Sequence, residues 1–146
     1  MRIFKSLLVL LIGLTALAYA VQNVGEVGSM RDQVDALAEP ATAAAMSWAG
    51  FGLMTALLFL LAAVAVKGAW DIFAARNGSA DEFRESKTVA VWAGGLSLLS
   101  WFGLSLMVGA GLFQWGTDNG AAALAKSFAL GTTSALTILF VWGTRD

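Results

Sequence analysis

The sequence predicts an all-α protein: a four-span transmembrane helical bundle with both termini on the cytoplasmic side. Three observations carry that prediction. Of the 146 residues, 58% are hydrophobic and only 13% are charged, about half the charge of an ordinary soluble domain. The apolar residues fall in four stretches free of charge: Ser6 to Gly25, Pro40 to Val66, Thr88 to Thr117 and Ser127 to Thr144. A helix needs about 20 apolar residues to cross the hydrocarbon core, which places spans at about 6–24, 45–67, 88–112 and 122–143 in one membrane domain, 1–146. Finally, the cations are asymmetric. With an N-in, C-in topology, Arg2, Lys5, Lys67, Arg76, Arg84, Lys87 and Arg145 lie inside and only Arg31 and Lys126 outside, as the positive-inside rule requires.

The first span begins MRIFKSLLVLLIGLTALAYA, with a basic start and an Ala-Tyr-Ala that resemble a signal peptide. The apolar run continues through Val21, so the segment is expected to stay as a span. Gln22, Asn23 and Glu26 close it at the outer interface. Val27, Met30, Val34 and Leu37 then recur at helical spacing, with Ser29 and Asp32 as a possible cap. They predict a short amphipathic helix on the outer surface, ended by Glu39-Pro40.

The second span carries Ala45, Ala49, Gly52, Ala56 and Ala63 along one face. It is expected to run past the membrane through Trp70, Ile72 and Phe73 to Arg76, with Asn77-Gly78 as a left-handed stop. The run ADEFRESK then starts a new helix. Ser79 and Glu82 have capping-box spacing, and Asp81 and Arg84 are spaced for an i,i+3 pair. Spans two and three therefore form a helical hairpin extended into the cytoplasm, with Phe83 on its apolar side.

The third span presents Ala93, Ser97 and Ser100, and the fourth Ala121, Ala125, Ala129, Thr133 and Thr137. Small residues let membrane helices approach closely, so these eight positions are the candidate helix-packing or partner face. Trp48 and Trp115 fall near the outer boundary and Trp70, Trp92 and Trp142 near the inner one, where tryptophan collects. Trp101 lies deep in span three and is expected to pack against a neighbouring helix.

The chemistry is sparse. The chain holds no Cys and no His, which excludes disulfides, thiol catalysis and the common zinc and haem sites. No nucleophile–base pair, phosphate loop or metal spacing is present, so no catalytic, cofactor or metal residues are assigned. A net charge of -1 gives no basic surface for nucleic acid. Intramembrane charge marks transport sites, and here only Lys126 qualifies. Lys126, Glu26 and Asp118 form the candidate polar site, with Gln114 and Asn119 at the same level.

In the order of its features the chain resembles a bacterial family of small integral membrane proteins, domain of unknown function 2165. The likeness runs through GAW at Gly68 to Trp70, Phe83 and Lys87, SWFG at Ser100 to Gly103, Gly109 and Gly111, FQW at Phe113 to Trp115, Ser127-Phe128 and the closing LTILFVWGTRD, with a weaker echo at Asn23 and Gly28 to Met30. Many members carry a histidine in the outer loop that this chain lacks. The resemblance implies a four-span protein of the bacterial inner membrane and no defined activity. The expected role is a non-catalytic accessory or packing subunit of a larger inner-membrane complex. Its partners would be the lipid bilayer and other membrane subunits or copies of itself. The alternative is a small homo-oligomeric transporter or channel along Lys126 and the span-four threonines, and a lipid- or quinone-directed enzyme is the remotest reading.

Overall fold

A computed structural model describes residues 1–29, 32, 41–104 and 118–144, with side chains given at 1–29, 32, 48–103 and 125–144. Every regular element among them is helical: α1 Arg2–Gly25, α2 Ala41–Ala74, a 3-10 turn Ala75–Asn77, α3 Ala80–Ser86, α4 Thr88–Leu98 and α5 Asp118–Gly143. A π-helical turn, Leu99–Leu104, continues α4. Among the described residues, three helical stretches are long and apolar enough to cross a membrane: Arg2–Gly25, Trp48–Asn77 and Ala125–Gly143.

Neighbouring helices run antiparallel, and named contacts fix their register. Along α1 and α2, Ser6 Oγ donates to the Ala69 carbonyl at 2.7 Å, and Asn23 donates to Thr55 Oγ1 at 3.2 Å. Between them, Gly13 lies so close to α2 that a Cβ there would meet Ala65 Cβ at 3.1 Å. At the α2–α4 crossing, a Cβ on Gly68 would reach the Ala90 backbone nitrogen at 2.8 Å. Gly94 of α4 receives Ile138 of α5, and Phe4 of α1 meets Phe140 of α5 edge-on at 6.2 Å. The cyclic order is therefore α1, α2, α4, α5. Glycine and alanine at the crossings bring backbones within reach of dispersion contact, the main attraction available between apolar helices in an apolar solvent.

The core follows from the same logic. Val9, Ile12, Ala16 and Ala20 of α1 meet Leu58, Leu61, Ala65, Ala69 and Ile72 of α2, all buried. Trp101 is buried as well and stacks edge-on against Tyr19 of α1 at 5.3 Å. The π turn explains how it gets there. Ser100 Oγ donates to the Leu96 carbonyl at 2.8 Å, a side-chain bond that competes with the backbone ladder and bends helices. The widened turn sends Trp101 to α1 while the next residue, Phe102, meets Phe128 of α5 at 5.2 Å.

At the joint between α2 and α3 the structure corrects one expectation. Gly78 has φ -77° and ψ 177°, so the chain leaves the 3-10 turn in an extended conformation rather than through a left-handed stop. The capping box does form. Glu82 N donates to Ser79 Oγ at 3.2 Å, and Ser79 N donates to Glu82 Oε2 at 2.8 Å. No Asp81–Arg84 ion pair forms, and Lys67 pairs with Asp71 at 2.6 Å. Ile72 and Phe83 are buried while Trp70 is largely exposed. The predicted surface helix beyond Val27 lies almost wholly outside the described residues, although Ser29 Oγ donates to the Glu26 carbonyl at 3.0 Å instead of capping.

Candidate functional site

The polar residues singled out in the sequence do not converge. Lys126 Nζ sits over the Tyr19 ring, 4.5 Å from its centroid. Glu26 accepts from Gln22 Nε2 at 2.8 Å and makes no ion pair with Lys126. The side chains of Asp118, Gln114 and Asn119 lie outside the described residues. Lys126, Tyr19 and Trp101 form a line of cation, ring and ring from the α5 surface into the bundle. A cation over an aromatic face is attracted by the ring quadrupole, and here that attraction anchors Lys126 on α1.

The small-residue faces divide. Ala93 and Ser97 of α4 and Ser100 of the π turn are buried, all at 0% exposure. On α5 the buried positions are Gly131, Ser134 and Val141, whereas Ala125, Ala129 and Thr133 are exposed and Thr137 is half-buried. Ala121 lies outside the described side chains. Span two repeats the pattern: Ala49, Gly52, Ala56 and Ala63 are exposed, and its packing face is Thr55, Leu58, Leu61, Ala62, Ala65, Ala69 and Ile72. Between α1 and α5 a cleft of about 170 Å³ opens, lined by Leu8, Leu11, Ile12, Thr15, Trp101, Leu130, Thr133, Ser134 and Thr137.

At the opposite end of the bundle from Lys126, charges meet that the sequence had suggested only as topology markers. Phe83 is fully buried. Its ring centroid lies 4.5 Å from Arg2 Cζ, 5.1 Å from Lys87 Nζ and 5.7 Å from Lys5 Nζ. The two α1 cations also close the ends of neighbouring helices. Arg2 donates to the carbonyls of Arg76 and Gly78 at 3.2 and 2.7 Å, at the end of α2, and Lys5 Nζ donates to the Thr144 carbonyl at 2.8 Å, at the end of α5. Helix C-termini carry partial negative charge and unpaired carbonyls, so each cation is held by a neighbour's dipole while it sits at the positive end of its own.

Beside this cluster lies a cavity of about 460 Å³, lined by Ala80, Asp81, Arg84, Lys87, Trp142, Gly143 and Thr144. Among the described residues no nucleophile is paired with a base, and no three acidic side chains gather in a metal-like group. Geometrically the arrangement can hold an anion or a partner helix. No protein-family model matches the chain, and no curated protein or solved structure matches it.

Proposed function

We propose that this chain is a small, non-catalytic integral membrane protein of the bacterial inner membrane. In this reading it crosses four times with both termini in the cytoplasm and serves as an accessory or packing subunit of a larger membrane complex. The observation that carries the reading is the outward direction of the small-residue faces on α2 and α5. Such faces are the ones on which membrane helices associate, because a neighbouring backbone can come close only where side chains are short. The bundle uses other residues for its own packing and leaves these uncovered. The collection of cations at the Arg2 end supports placing that end inside, and the order of motifs shared with the small integral membrane family supports the bacterial inner membrane.

The test is gentle affinity purification from native membranes with intact-complex mass measurement, on the wild type and on an Ala56→Leu, Ala129→Leu double variant. Wild type is expected to carry stoichiometric larger subunits, and the variant to lose them while its own fold persists. A wild-type protein that is monodisperse and alone sinks the proposal.

A second reading, a small homo-oligomeric transporter or channel, is favoured by one observation: the hydroxyls of Thr15, Thr133, Ser134 and Thr137 line the α1–α5 cleft. Unchanged flux in liposomes after Thr133→Val and Thr137→Val would remove it.

A further inference from the structure

We propose that the cleft between α1 and α5 binds the ring of a membrane quinone, a neutral ring with carbonyl acceptors at opposite ends. The inference rests on the membrane reading above. α1 and α5 meet at Phe4 with Phe140 and again at Tyr19 with Lys126. The cleft lies between those two bridges, from Leu8 to Thr15 on one helix and from Leu130 to Thr137 on the other. In Arg2–Gly25 that stretch is the middle of the span, so a ligand reaches it from the hydrocarbon rather than from water. Leu11 and Thr133 are exposed lining residues, one on each helix, and they mark where the cleft opens to the outside of the bundle.

The lining selects polarity, charge and size. Thr55, Ser100 and Thr144 each donate to the carbonyl four residues back, a common partner for a hydroxyl on a helix. Among the described residues, Thr15, Thr133, Ser134 and Thr137 of the cleft make no such bond and no other. Ser134 is only 7% exposed, and a hydroxyl so buried is costly without a partner. An acyl chain offers it none. A quinone offers two carbonyl oxygens, and the hydroxyls stand on both walls, Thr15 on α1 and the other three on α5. The lining side chains carry no charge, which favours a neutral ligand. The cleft holds about 170 Å³, and an apolar cavity of about 150 Å³ takes one benzene ring. Trp101, buried in the lining, is braced edge-on by Tyr19 at 5.3 Å and gives a flat ligand an aromatic wall to pack on.

The experiment titrates purified protein in detergent with decylubiquinone and follows the thermal unfolding midpoint by circular dichroism. Decylbenzene, which keeps ring and tail without the carbonyls, and decane, the tail alone, are the controls. Decylubiquinone is expected to half-saturate at about tenfold lower concentration than decylbenzene, the size of about one hydrogen bond. Ser134→Ala combined with Thr137→Val is expected to abolish that preference. Thr132→Val, at an exposed neighbour outside the lining, is expected to keep it. The infrared carbonyl stretch of the bound quinone is expected at lower frequency than in detergent alone, and at the detergent value in the double variant. Equal protection by decylubiquinone and decylbenzene, or equal loss of preference in the double variant and in Thr132→Val, overturns the site. So does a preference that survives the double variant. If the double variant does not fold, the wild-type stretch decides, and an unshifted band overturns the proposal. A chain that stays monodisperse without detergent overturns the membrane reading itself; one that enters liposomes but treats the quinone and decylbenzene alike overturns only this inference.

Discussion

Lys5 and Thr144 meet across the bundle, Nζ to carbonyl oxygen at 2.8 Å, 139 residues apart in sequence. The lysine side chain has no solvent exposure, and the groups that surround its charge include a helix terminus and the face of Phe83. Lys5→Met keeps most of the stem and removes the donor. A hydrogen bond to a charged group contributes about 2 kcal/mol, and the variant is expected to lose about that much in denaturant unfolding in detergent. An unchanged midpoint would mean that the bond adds nothing net to the cost of burying the amine.

The two classes of glycine should respond in opposite directions. At Gly68 a new Cβ collides with the Ala90 backbone at 2.8 Å, and backbone cannot move aside as a flexible side chain can. Gly68→Ala is expected to destabilise by about 1–3 kcal/mol through overpacking. Gly95 has nothing within 4 Å of the same position, so Gly95→Ala should gain up to about 1 kcal/mol from helix propensity. Paired unfolding curves check both.

Ser97 carries a buried hydroxyl with no hydrogen-bond partner. A buried polar group left unmade costs about 1–3 kcal/mol. Ser97→Ala is therefore expected to be neutral or to raise stability by about 1 kcal/mol, read in the same unfolding assay. A clear loss would show that the hydroxyl is satisfied in the folded protein.

The capping box at Ser79 and Glu82 acts locally. Ser79→Ala removes the acceptor for the Glu82 amide and is expected to cost about 1 kcal/mol. Hydrogen exchange at Glu82 should speed about fivefold, while amides in the middle of α1 keep their rates. Equal acceleration everywhere would place α3 inside the global unfolding unit.

Much of the helical plan was legible because charge-free length is a strong signal in itself: α1, α2 and α5 follow it, and α2 runs past Val66 to Ala74 as the pattern Trp70, Ile72, Phe73 suggested. The capping box was legible because it is set by two residues three apart in sequence, Ser79 and Glu82. The direction of the small-residue stripes was not. Alanine every fourth residue marks a face without saying whether the partner is inside or outside, and in α5 the inward face belongs to Gly131, Ser134, Ile138 and Val141, one register away. The cation cluster was hidden for a different reason. Arg2, Lys5 and Lys87 come together only through tertiary pairing, and in sequence each reads as an ordinary boundary charge. Nor does any local pattern announce the π turn at Leu99–Leu104.

The hold that α1 has on the ends of α2 and α5 also sets an order of events. During synthesis Arg2 and Lys5 emerge before the helix ends that they hold, at the positive pole of their own helix. The carbonyls of Arg76 and Gly78 follow 74 and 76 residues after Arg2, and that of Thr144 follows 139 residues after Lys5. The opening helix therefore waits with its charges solvated until its two neighbours arrive. Closure of the ring waits for α5, and a chain stalled before α5 would leave Lys5 without the Thr144 carbonyl that it holds.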